Sequence, residues 1–127
     1  MAIIKQSIGI DISKATFTAC VCQRSQDGQL TFSKVLNFSN ETKGYNQFLR
    51  WIKGVTVTGT ELVFLMEATG VYYENLAHHL HKIKKTVYVV LANTSKHYFS
   101  SLNIKTKTDV VDARVLSQFG AERAHKP

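Results

Sequence analysis

Proline occurs once in the 127 residues, and no apolar run approaches the ~20 residues of a membrane span. The sequence therefore has no low-complexity linker and no membrane-crossing helix, and no internal repeat is visible. Cysteine is scarce too. Cys20 and Cys22 stand one residue apart in an apolar run, so in a strand they share a face at the limit of an unstrained disulfide and read as reduced thiols. The first twelve residues hold a lysine but neither an extended apolar stretch nor a small-residue cleavage site, so the expected location is the cytoplasm. With 44% hydrophobic residues the chain can build one core and is too short for two domains of ordinary size; a single domain over 1–127 is expected.

Acidic residues are the other shortage. Nine Asp and Glu face sixteen Lys and Arg, a formal charge of +7, which favours a polyanionic partner such as nucleic acid. The excess is uneven: up to His81 there are seven basic and six acidic residues, and from Lys82 onward nine basic and three acidic. A basic region can also be only a solubilising face, so the placement of the few carboxylates carries more information.

Ile8, Ile10 and Ile12 alternate with Gly9, Asp11 and Ser13, the period of a strand with one buried face, and Asp11 leaves on the face opposite the isoleucines. A second strand is expected over Thr16 to Gln23. The turn Ser25-Gln26-Asp27-Gly28 leads into a third over Leu30 to Phe38, making three antiparallel strands. Asn40 is placed to cap a helix in which Tyr45, Phe48, Leu49 and Ile52 recur at helical spacing, with Gly54 near its end. The run Glu61 to Met66 is apolar on both faces, as in a central strand, and ends at Glu67. Tyr72 to Ile83 reads as a helix, Thr86 to Leu91 as another buried strand, and Ala92 to Lys107 as a polar connection, helical around Ser95 to Leu102. Thr106 or Thr108 can cap a last helix from Asp109 to about Arg123. An α/β fold with a mixed sheet of about five strands flanked by helices follows.

Asp109 and Asp112, three apart on one helix face, can converge on a cation, although acids in a first helical turn also complement the macrodipole. Asp11 and Glu67 resist that explanation: a carboxylate in or at the end of an apolar strand is unfavourable by propensity and costly to bury unless paired or metal-bound. If the two strands are neighbours and the last helix crosses their edge, four carboxylates meet. Such hard oxygen ligands suit Mg²⁺ or Mn²⁺, and two ions ~4 Å apart would serve an in-line phosphodiester displacement.

The element order, with acids on the first strand, the fourth strand and the last helix, resembles the ribonuclease-H-like fold in its RuvC-like form. Three segments resemble the signatures of the DEDD transposases, insertion-sequence recombinases related to the Piv DNA invertases: Ile8-Gly-Ile-Asp11-Ile-Ser-Lys14, Met66-Glu67-Ala-Thr-Gly70-Val-Tyr72 and Lys107-Thr-Asp109-Val-Val-Asp112-Ala-Arg114. The resemblance spans essentially the whole chain. It implies a RuvC-like catalytic domain whose Asp11, Glu67, Asp109 and Asp112 bind divalent metal during DNA cleavage and strand exchange. It further implies a guide RNA from the same element, a homo-oligomeric full-length protein, and a second domain supplying a serine. No such domain is recognisable in the sequence, so either an isolated catalytic domain or a truncated piece of a longer protein is expected.

Lys14, Lys105, Lys107 and Arg114 flank the acids and are candidates for DNA phosphate contacts; solvated loops, or for Arg114 a pairing with Glu122, would explain them more plainly. His78, His79 and His81 lack a further ligand cluster and read as an exposed helix face. Tyr72, Tyr73, Tyr98 and Phe99 are candidates for base stacking or core packing. Sugar kinases and actin-like ATPases also begin with a Gly-Ile-Asp strand, but they need a Gly-rich phosphate turn where Ile12-Ser13-Lys14 stands. The same residues are also compatible with a stand-alone Holliday-junction resolvase, or with a non-catalytic nucleic-acid-binding or dimerisation module.

Overall fold

The alternating isoleucines do form a strand, and its two faces organise everything else. The computed structural model describes residues 2–68, 70–90 and 109–122, with side chains in the last segment from Ala113 onward. Six strands, β1 (Ile3–Ile12), β2 (Thr16–Ser25), β3 (Leu30–Phe32), β4 (Leu36–Ser39), β5 (Leu62–Glu67) and β6 (Thr86–Val90), make one mixed sheet. Its order is β3-β2-β1-β5-β6, with β4 also paired to β2. β1 and β2 are antiparallel, while β5 runs parallel to β1 and β6 parallel to β5. The parallel connections pass through α1 (Thr42–Val55) and α2 (Glu74–Lys82), and α3 (Asp109–Glu122) follows.

One sheet face carries Ile8, Ile10, Phe64 and Met66 and packs against Phe48 and Ile52 of α1 and Leu76 and Leu80 of α2. Phe17, Phe38 and Phe48 form its aromatic centre, with the Phe17 and Phe48 rings edge to face at 5.1 Å, a favoured quadrupole arrangement. The fully buried Gln6 ties the end of α1 to this face. Its Nε2 donates to Val57 O at 2.9 Å and its Oε1 accepts from Val57 N–H at 2.8 Å and Gln23 Nε2 at 2.9 Å. The other face packs Leu65 and Val90 against Val115, Leu116 and Phe119 of α3. β5 is thus buried on both sides, which is why its sequence lacks alternation.

Three local expectations are corrected. The third strand is divided. Phe32 pairs with Cys22 and Leu36 with Ala19, so three residues, Ser33 to Val35, oppose two on β2. This bulge is held by Ser33, whose N–H donates to Val21 O and whose Oγ accepts from Val21 N–H, both at 2.9 Å. Second, Asn40 does not cap α1: Glu41 holds the N-cap position without a side-chain bond. Asn40 is committed elsewhere, as described below. Third, α2 begins at Glu74 rather than Tyr72. It ends with Lys84 at φ 64°, where Lys84 N–H bonds His81 O and Lys85 N–H bonds Leu80 O, closing the last turn as a glycine usually does. The expected helix around Ser95 to Leu102 lies outside the described residues.

Candidate functional site

β1 and β5 run parallel with Gly9 beside Leu65 and Ile10 beside Met66. The next residue on each strand is Asp11 and Glu67. Since strand side chains alternate, both belong to the face that carries Gly9 and Leu65, which is the face α3 covers. Adjacent strands lie about 4.8 Å apart, so the two carboxylates leave the sheet as near neighbours. Each is half-buried.

The course of α3 is set by two glycines. A Cβ on Gly9 would stand 2.2 Å from Ala113 O and 2.2 Å from Ser117 N, and a Cβ on Gly120 would stand 2.0 Å from Ser7 Oγ. Only glycine at both positions lets helix and strand backbones approach so closely. Position 9 therefore lies under residues 113–117 and position 7 under residue 120, so α3 runs antiparallel to β1. Two strand residues advance about 6.6 Å and a helix needs about four residues for that distance. The step from Gly9 to Ser7 agrees with this rate, and the same step from Gly9 to Asp11 reaches the helix turn that begins at Asp109. The first turn of α3, which holds Asp109 and Asp112, accordingly arrives at the sheet edge where Asp11 and Glu67 lie.

Among the described side chains no three His, Cys, Asp or Glu gather, so the described part of the edge is the Asp11 and Glu67 pair. The donor set offered there is carboxylate oxygen from strand ends, which fits a hard divalent cation; the thiols and the imidazoles of the described residues lie elsewhere. Cys20 and Cys22 are free and buried beneath α3, and burial raises both thiol pKa values, that of Cys22 to about 12. His79 packs its ring on Tyr45 at 5.1 Å.

Lys14 is exposed in the β1–β2 turn, three residues after Asp11. Arg114 is turned away from the edge: its guanidinium carbon lies 4.4 Å from the Phe32 ring centroid, on β3, two strands from β1. Lys105 and Lys107, like Tyr98 and Phe99, lie outside the described residues. Tyr72 is exposed and Tyr73 packs partly against the core. Gly9 and Gly120, which place α3, carried a signal in the sequence, since an isolated glycine inside a strand or helix often marks close backbone approach.

Comparison with known proteins identifies the family and the fold. Residues 8–127 match the family model for transposases of the IS110 DEDD type. The chain is 36% identical over 122 residues to the pilin gene-inverting protein of Moraxella bovis, and equally to that of Moraxella lacunata. Each match takes in 93% of this chain and 35% of the relative, so the chain spans about a third of the length of these relatives. Among solved structures, Thermus thermophilus RuvC in complex with a Holliday junction superposes with a TM-score of 0.62 at 8% identity, covering 91% of this chain and 97% of that one. The yeast mitochondrial Holliday junction resolvase gives 0.60 at 11% identity, covering 87% and 76%. A fowlpox virus resolvase bound to junction DNA gives 0.58 at 12%, covering 91% and 98%. At such identities the likeness is one of fold, and the fold is ribonuclease-H-like in its RuvC form.

Proposed function

Because the chain belongs to the DEDD-type family of insertion-sequence transposases and pilin gene-inverting proteins, we propose that it is the RuvC-like catalytic domain of a DNA-recombining enzyme. The reaction proposed is divalent-metal-dependent DNA cleavage and strand exchange, with Asp11, Glu67, Asp109 and Asp112 as the ligands of Mg²⁺ or Mn²⁺. The observation that supports this reading is that β1 and β5 are parallel neighbours ending in Asp11 and Glu67 on the sheet face that α3 covers, the helix whose N-terminal turn carries Asp109 and Asp112 in the sequence.

Each residue has a physical task. Asp11 and Glu67 project from strands whose preceding residues are buried and hydrogen-bonded, so their carboxylates need little ordering on binding. Asp109 and Asp112, at helical spacing i and i+3 in the first turn of α3, are proposed to complete the set. When bound, two such ions supply an activated attacking oxygen and charge stabilisation of the leaving one. Lys14, exposed in the turn after Asp11, is placed to meet a DNA phosphate approaching the edge, and Lys105 and Lys107 are proposed to do the same. The full-length protein is proposed to act as a homo-oligomer guided by an RNA.

Mn²⁺ titration tests the site directly. A cation bound only by the folded state stabilises by about 2.7 kcal/mol at a hundred times its Kd. The wild-type chain should therefore melt roughly 10 °C higher in saturating Mn²⁺ than in chelator, and Asp11→Asn and Glu67→Gln should each abolish most of that rise. An equal melting temperature with and without Mn²⁺, unaltered by either substitution, refutes the metal site. In the full-length protein the same substitutions should eliminate Mg²⁺-dependent DNA cleavage.

A further inference from the structure

Asn40 stands at the entrance of α1, where its side chain would ordinarily cap the helix, and it does something else. Its Nδ2 donates to Ser13 O at 3.1 Å and Lys14 O at 3.5 Å, in the turn that follows Asp11. The same Nδ2 donates to Tyr72 O at 3.1 Å, in the loop that follows Glu67. Its Oδ1 accepts from Tyr45 Oη at 2.6 Å, and its backbone N–H donates to Ala15 O at 2.8 Å. An amide has two donor hydrogens and one acceptor oxygen, and all are engaged. The acceptor bond from Tyr45 fixes which way the amide faces, so both N–H groups must point at the loop carbonyls.

β1 and β5 are paired through Ile10 and Met66. Beyond that pair each strand continues only to Ile12 and Glu67, held by β2 and β6, and the Asn40 side chain at the α1 entrance bonds to the loops that follow both. The helix gives up its own cap for this, a loss worth about 1 kcal/mol in ordinary helices.

We propose that Asn40, oriented by Tyr45, is a positioning residue that ties the loops leaving β1 and β5 into one unit and thereby steadies the strand ends bearing Asp11 and Glu67, whose spacing the sheet register sets. The inference rests on the metal-site reading for its consequence, while the tie itself is observable without metal. Asn40→Ala removes the donors. Tyr45→Phe keeps them but releases their orientation, so its effect is intermediate. Asn40→Asp keeps the acceptor for Tyr45 and loses the donors, so it follows the alanine variant.

The test has two arms on the 127-residue chain. In metal-free buffer, amide hydrogen exchange is followed at Ser13, whose N–H bonds Thr16 O, and at Glu74, whose N–H bonds Val71 O. In Asn40→Ala both should exchange roughly tenfold faster together, while amides in the middle of β1 and β5 keep their protection. Loosening of one loop alone, or of neither, overturns the tie. In the second arm, Mn²⁺ is titrated into each variant, and the Kd should weaken about tenfold in Asn40→Ala and less in Tyr45→Phe. Unchanged Mn²⁺ affinity with both loops loosened overturns the positioning role. Coupled loosening in a chain whose wild type binds no Mn²⁺ supports the tie and refutes the metal-site reading instead.

Discussion

Replacing Gly9 by alanine should unseat α3 and spoil the carboxylate edge at once. The added Cβ would meet Ala113 O and Ser117 N at 2.2 Å, whereas ordinary contact begins at 3.4 Å, so helix and strand must part by about 1.2 Å. Both obstacles are helix backbone, which cannot rotate aside as a side chain would. Overpacking of this kind costs about 1–3 kcal/mol, and the upper half of that range is expected here. For a chain of this length that corresponds to a melting temperature lower by roughly 8–12 °C. Metal binding should suffer more than stability, because ligand distances tolerate only about 0.2 Å of change and the first turn of α3 would move several times that. The assay is thermal melting with and without Mn²⁺. Gly54→Ala serves as the control: it lies in α1 with no atom within 4 Å of the added Cβ and should be neutral or stabilise by up to about 1 kcal/mol. If Gly9→Ala melts and binds Mn²⁺ like the wild type, α3 does not lie on β1 as described and the convergence of the four acids fails with it.

Two further outcomes are expected. Asp112→Asn should raise the stability of the metal-free chain by roughly 1 kcal/mol by relieving carboxylate repulsion, while weakening Mn²⁺ at least about tenfold; destabilisation in both buffers would instead reveal a cap or salt bridge. Burial holds the Cys22 thiol protonated to about pH 12, against 9.0 for an ordinary thiol. The unfolded chain therefore loses this proton first, and stability should decline as pH rises from about 9 to about 12; a flat profile of denaturation midpoint across that window would contradict the buried placement.

Much of the fold is written in local pattern. The isoleucine alternation around Asp11, the doubly apolar run before Glu67 and the helical spacing of Tyr45, Phe48 and Ile52 each identify an element, because side-chain period follows directly from backbone geometry. The divided third strand was not legible. A bulge depends on how Ser33 bonds across to Val21, and nothing in Leu30 to Phe38 by itself states which strand it will face. Asn40 misled for a related reason: its residue type and position suit a cap, and the structure gives its amide to two loops and to Tyr45. Arg114 stood beside the acids in sequence, but helix geometry directs it toward Phe32.

The sequence by itself determined which residues carry the candidate chemistry and on what kind of element each stands, since carboxylates in apolar strands announce an unusual environment. Only the tertiary structure decided that β1 and β5 are neighbours in a register that puts Asp11 beside Glu67. It also decided that α3 crosses the face bearing them and runs antiparallel to β1, through contacts such as Gly9 with Ser117 about a hundred residues apart. Period is a property of a few consecutive residues. Register, helix direction and the meeting of strand ends arise from packing between distant segments, where the absence of two side chains, at Gly9 and Gly120, fixes the geometry.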